Sequence, residues 1–298
     1  ADLSIYGGLA PHISIVCGFY SAVVLPANVV LIGPGQAYEQ IQDALNDIVD
    51  DTASNPYTFV VMPKGEPYEP FSMLRKSFTE TLPWNNISPR NISIVGLDKD
   101  HCVIQSDSGN YLLPCGEPLT NGVIKNLKFI MTNDEQDETA TQGAYCLHID
   151  CGTPNDVGYS MTIEDCDFED ASGPCLGIGM RPNSTLTIKG CRFKTTLSAN
   201  YNPHEGYRNM SEYGCLFAHA SSRADAQNQR LNIEDCVGVC TEGTRSLYIT
   251  PAGYEAGTSD FMYTLLRNVF WNLSTESPAY SINSRLPANM MNFGNNNA

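Results

Sequence analysis

The chain has 298 residues, 42 % of them apolar, with 17 basic against 33 acidic side chains and a net charge of −16. So acidic a surface repels nucleic acid and anionic membranes, and neither is expected as a partner. No apolar run reaches the roughly 18 residues that span a bilayer, because the candidates near 13–25 and 29–32 are broken by Cys17, Gly18, Ser21 and Pro26.

Ala1-Asp2 opens without the basic segment of a secretory signal and is expected of a chain whose initiator Met has been trimmed, although a processed signal peptide would leave a similar start. Residues 1–28 are apolar but aperiodic, and are expected to act as an N-terminal arm or cap. A strand is predicted over Val29–Ile32 and another over 59–62, with a helix over 37–49 between them. Tyr38, Ile41, Leu45 and Ile48 fall at helical spacing, opposite Glu39, Gln40, Asp43, Asn46 and Asp47. Such a helix suits the open end of a solenoid, which has to be covered.

From residue 124 onward one pattern recurs: apolar, any, small turn-former, apolar, any, and usually aromatic. It reads Ile124-Lys-Asn126-Leu127-Lys-Phe129, then Ile163-Glu-Asp165-Cys166-Asp-Phe168, then Ile188-Lys-Gly190-Cys191-Arg-Phe193. Ile233-Glu-Asp235-Cys236-Val-Gly238 and Leu266-Arg-Asn268-Val269-Phe-Trp271 follow, and Ile92-Ser-Ile94-Val95-Gly96 is a looser sixth copy. The third position holds Asn126, Asp165, Gly190, Asp235 and Asn268, residue types that tolerate positive φ. Two short strands joined by one left-handed residue make a sharp bend with apolar side chains inside and Lys125, Glu164, Lys189, Glu234 and Arg267 outside. Starts at 124, 163, 188, 233 and 266 leave intervals of 39, 25, 45 and 33. The longer intervals imply inserted loops, placed at 134–143, 196–214 and 251–259 by their polar, Gly, Pro and Asn content.

The predicted fold is therefore all-β, a single-stranded right-handed parallel β-helix over 29–285 with an N-terminal capping helix and a C-terminal tail over 286–298. A β-sandwich is the competing architecture, but it predicts no fixed left-handed residue inside each motif. The eleven cysteines are odd in number, and Cys166, Cys191 and Cys236 share one inward motif position. They are expected to be reduced core thiols of a protein assembled inside a cell.

Val30-Leu-Ile-Gly33-Pro-Gly35, Tyr38-x-x-Ile41-x-x-Ala44-Leu45, Phe59-Val-Val-Met-Pro63-Lys-Gly65-x-x-Tyr68 and Asn91-Ile-Ser-Ile-Val-Gly96 together resemble the opening of the pectin-lyase-like β-helices, in the pectinesterase layout. The later repeats resemble the same superfamily less specifically, so the resemblance covers residues 29–275. It implies an architecture more than an activity, because this fold hosts pectinesterases, lyases, glycoside hydrolases, adhesins and phage tailspikes.

Pectinesterase chemistry would need a Gln-Asp pair in an apolar frame, a second Asp and an Arg beside an aromatic. Gln136-Asp137 instead lies in an acidic stretch, 133–139. The densest acidic cluster is Glu164, Asp165, Asp167, Glu169 and Asp170. Its catalytic candidates are Asp167, Glu169 and Asp170 with Arg192, and its calcium candidates are Glu164 and Asp167. Asp167 is expected to meet Arg192 of the next coil and Arg181 of the turn between, and a solvated, ion-paired face explains the cluster equally well. His148 with Asp150 and His204 with Glu205 are further polar pairs, and the Cys and His spacing carries no zinc motif. Tyr201, Tyr207, Tyr213, Tyr254 and Tyr263 are assigned to inserts, the first four as contact-surface candidates.

No cofactor is expected. Three functions remain open. The first is a non-catalytic virion protein (tailspike, fibre or capsid-decoration subunit), homotrimeric by analogy with the fold's phage members and contacting other virion proteins or a cell-surface glycan. The second is a polysaccharide-degrading hydrolase or lyase, and the third a secreted or cell-surface adhesin.

Overall fold

The structure is a computed structural model that describes residues 28–71, 90–106, 120–132, 145–149, 158–170, 175–195, 215–220, 227–241, 245–250, 260–273, 280–284 and 291–294. It is mostly β. The first third supplies β1 (Val29–Ile32), α1 (Ile41–Asp47), β2 (Tyr57–Val61), β3 (Ile92–Gly96), β4 (Val103–Ser106), β5 (Thr120–Lys125), β6 (Lys128–Met131) and β7 (Leu147–Ile149). The middle supplies β8 (Ser160–Glu164), β9 (Asp167–Asp170), β10 (Leu176–Gly179), β11 (Thr185–Lys189), β12 (Arg192–Thr195) and β13 (Leu216–His219). Then come β14 (Gln229–Glu234), β15 (Val237–Cys240), β16 (Arg245–Thr250), β17 (Phe261–Leu266), β18 (Val269–Asn272), β19 (Tyr280–Ser284) and β20 (Met291–Gly294).

These strands form three sheets. The nine-stranded sheet runs β1-β2-β3-β5-β8-β11-β14-β17-β20, the six-stranded β4-β6-β9-β12-β15-β18 and the five-stranded β7-β10-β13-β16-β19. From β5 onward the chain visits the three in turn, and every strand pairing is parallel. Register is kept through the motif, where Ile124, Ile163, Ile188, Ile233 and Leu265 lie above one another, and it shifts once, between Thr120 and Gly122 at the start of β5. Parallel rungs repeat at about 4.8 Å, so each inward position becomes a column. Phe129, Phe168 and Phe193 stack with centroids 5.0 and 5.1 Å apart and planes within 6° and 10°. The next rung places Gly238 in that column. A Cβ there would lie 2.5 Å from the Phe270 ring, so the missing aromatic is supplied from the rung above.

The bend between the nine- and six-stranded sheets falls on Asn126 (φ 55), Asp165 (φ 52), Gly190 (φ 63) and Asp235 (φ 54), as the motif predicts. The fifth bend differs. Register pairs Glu234 with Leu266, so the left-handed residue is Arg267 (φ 55), and Asn268 is not a corner. Asn268 occupies the position of Cys236 one rung on. There it is buried, accepting the Cys236 backbone N–H at 2.9 Å and donating to the Ile233 carbonyl at 2.8 Å. Arg267 tolerates the strained backbone because its guanidinium grips the Asp235 carboxylate at 2.6 and 2.8 Å. A second series of bends precedes the nine-stranded sheet at Asn183 (φ 56) and Asn228 (φ 54), linked Nδ2 to Oδ1 at 3.0 Å.

At the N-terminal end α1 is shorter than the predicted 37–49, because Gln40 makes no capping bond and Ile48 is already extended. Ile41, Ala44 and Leu45 face the core. The helix end is held by Arg90, whose guanidinium donates to the Ile48 carbonyl at 2.6 Å and to Asp51 at 2.9 Å, with both side chains of the pair fully buried. Asp51 also accepts the Asn91 N–H at 2.8 Å. The Tyr68 motif closes nearby: its hydroxyl donates to the Met62 carbonyl at 2.5 Å, and Lys64 Nζ lies 3.9 Å over its ring. Gly33, at φ 141, leaves room for that hydroxyl, which a Cβ would approach to 2.6 Å. Burial raises the Tyr68 phenol above its ordinary value.

The eight cysteines described are free and buried, Cys166, Cys191 and Cys236 among them. One placement differs from expectation: Tyr263 is a fully buried residue of β17, not of an insert; Arg181 is buried. The predicted inserts 134–143, 196–214 and 251–259, residues 1–27 of the predicted arm 1–28, and residues 286–290 and 295–298 of the predicted tail lie outside the described residues, while Met291–Gly294 of that tail is β20, paired with β17.

Valine at Asp165, Gly190 or Asp235 is expected to destabilise by about 1–2 kcal/mol each, since a β-branched side chain resists the left-handed region. Urea unfolding measures this, and unchanged midpoints in all three would remove the corner assignment. Asp51→Ala should cost more, about 3–5 kcal/mol, by stranding a buried guanidinium; a loss under 1 kcal/mol would show that the pair does not hold the cap.

Candidate functional site

Strand β9 alternates, and that alternation splits the acidic cluster. Asp167 and Glu169 face outward from the six-stranded sheet, while Asp170 turns inward and is buried beside the Cys146 thiol, 3.6 Å away. Register sets Lys128, Asp167 and Arg192 in one outward column. Arg192 Nε donates to Asp167 Oδ1 at 2.8 Å, a second guanidinium nitrogen reaches Oδ2, and Lys99 Nζ lies 2.9 Å from Oδ1. Glu169 is held by Lys128 at 3.0 Å. Lys99 was not among the sequence candidates. It lies in the turn before β4, and only the stacking of distant rungs brings it to Asp167.

Burial alone would raise the Asp167 carboxyl, but the hydrogen bonds and charges of Arg192 and Lys99 outweigh it and hold the group below its ordinary value. The same contact raises Arg192. A carboxylate so held is a poor general acid, which needs its proton near working pH. Its oxygens are also directed at cations that a calcium ion would have to displace. Glu164, the other calcium candidate, ends β8 in the nine-stranded sheet and pairs with Lys125 at 3.3 Å. Glu164 and Asp167 thus stand on different sheets, either side of the Asp165 bend. Among the described residues no group of three or more His, Cys, Asp or Glu is placed to hold a metal.

Farther along the six-stranded sheet the outer face becomes apolar. Val237, Trp271 and Leu273 are exposed there, Trp271 by 51 % and Leu273 by 62 %. The motif marked Trp271 as its usually aromatic sixth residue, but the one-residue shift at Arg267 places Phe270 inside and Trp271 outside. His148 lies in β7 opposite Gly177. Asp150, His204, Glu205, Gln136, Asp137 and the contact-surface candidates Tyr201, Tyr207, Tyr213 and Tyr254 lie outside the described residues.

No protein-family model matches the chain, and no curated protein does. Among solved structures, the pectin methylesterase from carrot is similar with a TM-score of 0.39 and 11 % identity, over 90 % of this chain and 91 % of that one. The pectin methylesterase from Aspergillus niger in deglycosylated form gives 0.37 and 11 %, over 89 % and 92 %. Scores this low leave function to be argued from the chain's own residues.

Asp167→Asn is expected to cost about 1–2 kcal/mol at pH 7, the scale of hydrogen bonds to charged groups less their solvent screening. Because the folded carboxyl lies below its unfolded value, near 4, its contribution is present above that pH and lost as pH falls through the folded value. The gap between wild type and Asp167→Asn in urea unfolding should therefore narrow as the pH falls below about 4. A gap that stays constant would show that the pairing is not electrostatic.

Proposed function

We propose that this chain is a non-catalytic structural protein of a virion, a tailspike, fibre or capsid-decoration subunit. Its body is a right-handed, single-stranded parallel β-helix that presents inserted loops for attachment or assembly. The observation that carries this reading is the engagement of Asp167 and Glu169 by Lys99, Arg192 and Lys128. The outward carboxylates best placed for chemistry serve instead to tie rungs β4, β6, β9 and β12 together.

A scaffold of this kind works mechanically. Its strand backbones pair with the rungs on either side, and its columns resist sliding because a slip of one residue turns every inward side chain outward. Buried free thiols in place of disulfides suit a protein assembled in a reducing compartment. The inserted loops can then vary without disturbing the rod.

The purified chain should have the native mass of a trimer by light scattering and should release no reducing ends from a panel of surface polysaccharides. A monomer that depolymerises one of those glycans would replace the structural reading with the enzymatic one.

A further inference from the structure

Cys166, Cys191 and Cys236 stand directly above one another just after the Asp165, Gly190 and Asp235 bends. All three are fully buried and free. Each thiol lies within hydrogen-bonding reach of the carbonyl two residues earlier, Glu164 at 3.3 Å, Lys189 at 3.5 Å and Glu234 at 3.2 Å. Equivalent contacts at equivalent positions mean that the sulfurs share one orientation. The parallel register sets the middle residue, Cys191, one rung from both Cys166 and Cys236.

A metal–thiolate bond of about 2.3 Å placed twice in a line spans about 4.6 Å, against a rung spacing of about 4.8 Å. Soft sulfur selects soft monovalent ions such as Cu(I), and its close analogue Ag(I) binds without redox chemistry. A linear site needs only two sulfurs, so it does not depend on the cluster of three or more ligands that zinc or calcium would require. We propose that the Cys166–Cys191–Cys236 column is a two-coordinate site for one soft monovalent cation, held between Cys191 and either neighbour. Binding replaces one S–H proton, released to solvent. The single thiolate cancels the ion's charge inside the apolar column, and the second sulfur coordinates through a lone pair while keeping its proton. A second ion would need Cys191 to bridge two metals and a second thiolate to balance the added charge inside the apolar column, so the proposed stoichiometry is one. Cys102 occupies the same slot at the start of the series but is separated from Cys166 by the Leu127 rung.

The test is silver uptake by the native, folded chain in thiol-free, chloride-free buffer, counted by elemental analysis after desalting, with proton release followed in unbuffered solution. Because cysteines outside the column can also bind silver, the reading is the difference between wild type and variants whose folding is confirmed by thermal melting. Cys191→Ser, or Cys191→Ala if the serine variant does not fold, should lose one silver per chain and one released proton. Cys166→Ser, Cys236→Ser and Cys102→Ser should each lose none, since a sulfur pair survives in all of them. No silver on the wild type, no loss in the Cys191 variants, or an equal loss in Cys166→Ser would overturn the site.

Discussion

Strict in-register stacking is the constraint on which everything else in this molecule depends. Once Ile124, Ile163, Ile188, Ile233 and Leu265 lie above one another, every other position is also compared with its equivalent one rung away. Inside, like meets like, as phenylalanine on phenylalanine and thiol on thiol, because apolar groups of one shape pack well at that spacing. Outside, like charges cannot be tolerated at the same distance. The outward columns accordingly alternate: Lys125, Glu164, Lys189 and Glu234 on the nine-stranded sheet, and Lys128, Asp167 and Arg192 on the six-stranded one.

Departures from the repeat are each compensated by a neighbouring rung. Gly238 lacks the column's aromatic, and Phe270 fills the space. Asn268 lacks the thiol, and its amide takes two backbone bonds in exchange. Arg267 is a poor residue for a left-handed bend, and the Asp235 carboxylate one rung earlier anchors its side chain. Such compensation is available only in a stack, where position i of one rung always finds position i of the next.

That logic also explains what could be read in advance. Four of the five bends and the buried thiols Cys166, Cys191 and Cys236 were legible, because they are written as a repeated spelling within six residues, and the strand Val29–Ile32 was legible as a short apolar run ahead of a helical pattern. The fifth bend was misplaced because Leu266-Arg267-Asn268 spells the motif one residue late, and composition prefers Asn over Arg at positive φ. The Asn183–Asn228 series was not seen, since isolated asparagines in connecting segments spell nothing until the rungs are superposed. Lys99 beside Asp167 and Arg90 beside Asp51 join segments 68 and 39 residues apart in the numbering. Side chains that read as solvated charges in Asp50-Asp51 or Asp98-Lys99-Asp100 acquire partners only through the long-range register.

The same register bears on the chain's acidity. A column that alternates in sign is close to neutral, so the ordered sheet faces contribute little to the net charge of −16. The excess has to reside in sequence off the columns, and the stretch 133–139 shows where, with Asp134, Glu135, Asp137 and Glu138 and no basic residue. Charge is therefore divided between two tasks. On the sheets, opposite signs bind rung to rung, where a repelling pair would weaken every neighbour. Between the strands a single sign can accumulate, and a net charge far from zero favours solubility.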